Sequence, residues 1–144
     1  MTRSELQNAY LATSFFADTP NGRVCIRIGR TNGEVDRLLD QRGLDRWCFI
    51  TAYNPASQAS PESENRARQT ELEREVRDRG LEFFSGEGKG DDGNWPPEPS
   101  ILIIGIGRVD AESLGRRYGQ NAIVCGVRGQ AAELVWMNGA EAER

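Results

Sequence analysis

Ile101-Leu102-Ile103-Ile104-Gly105-Ile106 is the most apolar run in the chain, and its reading decides the fold. It is far shorter than the roughly 20 residues that span a bilayer. A short, continuous apolar run suits a strand covered on both faces, so it is read as the central strand of a sheet. Just before it, Leu81-Glu82-Phe83-Phe84-Ser85 has strand character, followed by a polar, glycine-bearing stretch over 86–100 read as a long loop. Beyond it, Asp110 is positioned to cap a helix carrying Ala111, Leu114 and Tyr118, which Gly119 closes. Two last strands follow, over 122–127 and 133–136, joined by a turn at Arg128-Gly129.

Toward the N-terminus, Trp47-Cys48-Phe49-Ile50-Thr51-Ala52 repeats the two-sided apolar pattern and ends at Tyr53-Asn54-Pro55. Ser60-Pro61 starts a helix, because proline in the first turn loses no hydrogen bond, and Gly80 stops it. Leu72 and Val76 anchor its inner face. The same stripe continues back to Gln69 and Asn65, so the buried face turns polar toward the helix start. Earlier still, Ser4-Glu5-Leu6-Gln7 has capping-box form and predicts a helix over 5–13. Strands over 14–17 and 23–28 flank the turn formers Pro20-Asn21-Gly22, and a short helix from Thr31 carries Val35, Leu38 and Leu39 to Gly43. The order α, ββ, α, β, α, β, β, α, ββ predicts an α+β fold. It is read as a single mixed sheet of about five to seven strands with three to four helices mainly on one face. One domain over 1–137 is expected, with 138–144 a frayed tail.

The chain has 144 residues and a formal charge of −4. That charge disfavours nucleic acid as a partner, since phosphate-tracking surfaces are basic. No apolar run suits a membrane partner, and the opening residues lack the form of a secretory signal, so a cytoplasmic location is expected. Histidine is absent, which removes Ser-His-Asp and Cys-His chemistry and every His-ligated zinc site. Cys25, Cys48 and Cys125 are odd in number, far apart and set among apolar neighbours. They are expected to be buried, reduced core residues.

Gly86-Glu87-Gly88-Lys89-Gly90-Asp91-Asp92-Gly93 invites a phosphate-loop reading. A Walker loop needs Gly-Lys-Ser/Thr opening a helix, whereas Lys89 is followed by Gly90, two aspartates and soon Pro96-Pro97. A mobile lid over 86–95 is the functional expectation, with a plain loop as the alternative. Asp91 and Asp92 lack the spacing of a calcium loop, and no metal ligand is assigned. Glu64 and Glu98 are the carboxylates best placed for acid–base work, against helix-terminus and loop-charge readings respectively. A further group comprises Thr51, Asn54 and Ser57 at a strand end, Asn65 and Gln69 on the following helix, and Gln120-Asn121 before another strand. If buried, these must be hydrogen-bonded, either as a network holding loop backbone or as a polar site.

The segment 47–55, then Ser57, Ser63, Glu64-Asn65, Gln69, Trp95, Glu98-Pro99-Ser100 and the run 118–124, resembles the bacterial family catalogued as domain of unknown function 3293. The neighbourhoods of Tyr10 and Ile28-Gly29 fit as well. The resemblance implies no activity and no cofactor. It does imply that the motif positions are the amides and carboxylates already singled out, which favours a polar site. The expected function is binding of a small polar or anionic, nucleotide-like metabolite. Thr51, Asn54, Ser57, Asn65, Gln69, Gln120 and Asn121 would read it, with Trp95 as an aromatic wall. One alternative is an enzyme using Glu64 or Glu98 as general acid or base, with or without Mg²⁺. Another is a protein-interaction module built on the charged helix surface over 71–79.

Overall fold

The computed structural model describes residues 2–93 and 95–137, and the tail expected over 138–144 lies outside them. Among the described residues one sheet is built from β1 (Thr13–Thr19), β2 (Gly22–Ile26), β3 (Arg46–Ile50), β4 (Glu82–Gly90), β5 (Glu98–Ile104), β6 (Ala122–Val127) and β7 (Glu133–Trp136). Their order is β2-β1-β4-β5-β3-β6-β7. The apolar run at Ile101 is therefore the middle strand, as its two-sided hydrophobicity requires. Every ladder is antiparallel. The one parallel pairing, which makes the sheet mixed, is an isolated bridge between Ile28 and Ala132.

The four helices divide between the two faces instead of gathering on one. In β3, Cys48 and Ile50 point to the face covered by α3 (Glu62–Asp78) and α4 (Arg108–Arg117), where they meet Leu72, Val76 and Leu114. Trp47 and Phe49 point the other way, onto Val35, Leu38 and Leu39 of α2 (Gly33–Arg42), with Tyr10 of α1 (Arg3–Leu11) packed on the same cluster. A central strand apolar on both faces leaves neither face tolerable to water, so both are covered.

Strand β4 is longer than its composition suggests. Gly86, Gly88 and Gly90 lie in the ladder, paired with β1 on one side and, through Gly88, with β5 on the other. The connection shrinks to residues 91–97, which corrects the expected lid over 86–95. Glycine here serves space: a Cβ on Gly86 would lie 1.8 Å from the Phe16 carbonyl oxygen, so no other residue fits that crossing without a shift of backbone.

Helix starts differ from expectation by one to three residues. Thr2, not Ser4, accepts the Glu5 N–H at 3.1 Å; Asn32, not Thr31, accepts from Glu34 and Val35; and Gly107 precedes α4, leaving Asp110 inside its first turn. None of the described helices is long and apolar enough to cross a membrane. Cys48 and Cys125 are buried and directly opposite each other across β3 and β6. Cys25 is exposed, because β2 is an edge strand on which Val24 and Ile26 take the inward positions. In the native protein a bulky maleimide should therefore modify one thiol quickly, and Cys25→Ser should remove that fast phase. Rapid loss of two or three thiols would contradict the register of β3 and β6.

Candidate functional site

The chain leaves β3 in a conformation few side chains tolerate. Asn54, Ala56 and Ser57 have φ of 47°, 57° and 59°, left-handed values that cost non-glycine residues about 1–3 kcal/mol each unless their surroundings over-determine them. The amides singled out in the sequence supply that restraint. Asn65 Oδ1 accepts the Asn54 N–H at 2.9 Å, and Asn65 Nδ2 donates to Asn54 Oδ1 at 2.8 Å. Gln69 Oε1 accepts the Ala52 N–H at 2.8 Å. From the far side, Gly119 O accepts the Ala56 N–H at 2.7 Å, Gln120 Nε2 donates to Tyr53 O at 3.1 Å, and Asn121 Nδ2 donates to Ser57 Oγ at 2.9 Å. Asn65 and Gln69 are buried on the stripe of α3 that also carries Leu72 and Val76, so the helix that packs the core also holds the loop.

This clamped loop forms one end of a cleft of about 370 Å³ between α1 and the sheet. Its floor contains Phe15 and Phe49, whose rings meet edge to face with centroids 5.3 Å apart, together with Val124. Leu6, Ala9 and Tyr10 line the α1 side. Tyr10 is itself held by an edge-to-face contact with Trp136 at 6.0 Å. Burial pushes the Tyr10 phenol up to about 12; Ser57 and the Ala122 backbone oppose the shift, while the charge of Glu98 adds to it. The phenol is thus a neutral hydrogen-bonding group throughout the physiological range.

The space exists because one row of the sheet lacks a side chain. Phe15, Gly88 and Glu98 are register partners across β1, β4 and β5, and Gly88 sits between two bulky neighbours. A Cβ there would meet nothing nearer than Phe15 Cδ1 at 3.6 Å, so the backbone would accept a side chain that the cleft would then have to house. Glu98 stands beside this opening. Its Oε2 accepts from Asn54 Nδ2 at 2.8 Å and from Trp95 Nε1 at 2.9 Å. The connection carrying Trp95 is pinned at its start too: Asp91 accepts from Arg27 and Ser14, and the Arg27 bond holds its carboxyl below the usual range.

The structure brings Thr51, Asn54, Ser57, Trp95, Glu98 and Gln120 to the cleft. Asn65, Gln69 and Asn121 do not line it; they bond the loop that does. Glu64 is exposed in the first turn of α3 and also lies outside the cleft, where its charge suits the helix N-terminus. Sequence reasoning gave Phe15, Phe49 and Tyr10 no role, and read Gly88, Gly90 and Asp92 as part of a loop or lid and not as cleft lining. The glycines carried a readable signal: placed at every second position, 86, 88 and 90, they strip one face of a strand.

A family model described as protein of unknown function (DUF3293) matches residues 50–123, just over half of the chain. The chain belongs to this family. No curated protein and no solved structure matches it. The DUF3293 segment opens at Ile50 and closes at Ile123, both of which border the cleft, and it contains the whole clamped loop and α3. Tyr10 and Phe15 lie outside it.

Two substitutions test the clamp. Asn65→Ala orphans the Asn54 N–H and should cost about 1–3 kcal/mol. Ala56→Gly relieves a left-handed alanine and should raise stability by about 0.5–1 kcal/mol. Urea melts of both variants beside wild type decide it, and a destabilised Ala56→Gly protein would rule out strain at that position.

Proposed function

We propose that the cleft binds a small molecule with an apolar body and a polar head. The body would rest on Phe15, Phe49 and Tyr10, and the head would be read by Asn54, Gln120 and Glu98. One observation carries this reading: a cavity of about 370 Å³, within the range of small-molecule sites, is apolar over most of its lining and has a few polar groups converging at one end. The arrangement also divides the labour among the amides. Asn65, Gln69 and Asn121 fix the loop, and Asn54 with Gln120 faces the ligand. A cytoplasmic setting goes with this reading, because the three cysteines are unpaired and unpaired thiols suit a reducing compartment.

Gly88→Leu tests the reading. The new side chain would extend from β4 into the cleft, where it meets apolar surface, so the fold should be retained. In a thermal-shift screen against a metabolite library, a true ligand at 100 times its Kd stabilises wild type by about 2.7 kcal/mol. The same ligand should leave Gly88→Leu unmoved. A hit that stabilises both proteins equally would place binding elsewhere and overturn the proposal.

A further inference from the structure

We propose that the head group bound beside Glu98 is cationic, an ammonium carried on an aromatic or aliphatic body; this rests on the cleft being a ligand site. Among the described residues, the charged side chains lining it are Asp92 and Glu98, both acidic. Of the nearby cations, Arg27, Arg68 and Lys89 are engaged or turned away. Arg27 is bonded to Asp91, Ser14 and the Leu11 carbonyl. Arg68 donates to Ala52 O and Asn65 Oδ1. Lys89 lies between Gly88 and Gly90 in β4, so strand alternation sends its side chain to the opposite face. An anion beside Glu98 would meet like charge, so this reading departs from the anionic, nucleotide-like ligand expected from the sequence.

The hydrogen-bonding inventory points the same way. The single N–H of Trp95 is spent on Glu98, and Gln120 Nε2 donates to both Tyr53 O and Tyr118 O. Asn54 Nδ2 donates to Glu98, while Asn54 Oδ1 accepts from Ser60 and Asn65. Beyond the second N–H of Asn54, what these side chains leave without a partner among the described residues is two acceptors, Glu98 Oε1 and Gln120 Oε1. A head that donates therefore meets more open partners, one of them charged, than a head that accepts. Ammonium offers three donors with positive charge, and the aromatic lining of Tyr10, Phe15, Phe49 and Trp95 suits both a cation and its apolar body. Trp95 and Asn54, by fixing Oε2, hold Glu98 in place before any ligand arrives, so its orientation costs nothing further on binding.

Three near-isosteric probes separate the possibilities by calorimetric titration of the full chain: phenethylamine, phenethyl alcohol and hydrocinnamate. The amine should bind at least roughly tenfold more tightly than the alcohol, with hydrocinnamate weakest. Glu98→Gln keeps an amide oxygen for Asn54 and Trp95 while removing the charge. It should melt like wild type and lose the preference for the amine, so that the amine binds no more tightly than the alcohol. Hydrocinnamate binding as tightly as the amine, or an amine preference that survives Glu98→Gln, overturns the charge assignment. If Gly88→Leu abolishes binding of every probe in that case, the cleft itself stands and only its preference for a cation falls. No binding by any probe also overturns the cationic assignment, whereas the cleft is then judged separately by the library screen.

Discussion

Asn54 and Asn65 exchange two hydrogen bonds, one through the Asn54 backbone and one through its side chain, and the rest of the site depends on that exchange. It ties the first left-handed residue after β3 to the inner face of α3. Without it, a loop with three left-handed non-glycine residues would have cheaper conformations to adopt. With it, Asn54 Nδ2 is aimed at Glu98, Glu98 is aimed past Trp95, and Ser57 is delivered to Asn121. A buried asparagine in the first turns of a helix is thus a structural device with a functional consequence, because the residue it positions is the one that reaches the cleft.

The cleft itself is made by omission. Antiparallel strands covered on both faces normally fill every inward position, and β5 and β3 do so with Leu102, Ile104, Trp47 and Phe49. In β4 the corresponding row contains Gly86, Gly88 and Gly90, and at Gly88 the missing side chain lies between Phe15 and Glu98. Glycine weakens a strand, yet this one is held by ladders on both sides. The sheet gives up local packing at the one place where α1 bridges over it, and the helix roofs a space that it does not fill.

Polar groups at the rim are mostly turned inward on each other. The N–H groups of Trp95, Gln120 and Asn121 end on protein oxygens, which makes the loop rigid and leaves the open end rich in acceptors. Under the proposed function, rigidity and selectivity would have one origin, since the donors that fix the loop are the donors withheld from a ligand. In the proposed ligand site, with its aromatic walls and Glu98, that asymmetry would discriminate by charge more sharply than the same groups would in open solvent.

The two-sided apolar runs at Trp47 and Ile101, the turn at Asn21-Gly22 and the stripe of Asn65, Gln69, Leu72 and Val76 were all legible in the sequence, because each follows from local periodicity. So was the meeting of Asn54, Asn65 and Gln120 at one end of a sheet, although Asn65 holds the loop and does not line the cleft. The distribution of helices over both faces was also implicit in those runs, but it required weighing two faces of one strand together. What the tertiary structure alone decided is which amides hold the loop and which face the cleft. Asn65 and Asn54 are the same residue type, and only the left-handed backbone at 54, set by contacts 11 residues away, distinguishes them. Gly86 to Gly90 read locally as a loop, because glycine has no side chain to declare a strand. The ladders to β1, 69 to 77 positions earlier in the chain, make it one, and long-range pairing of that kind leaves no mark on composition.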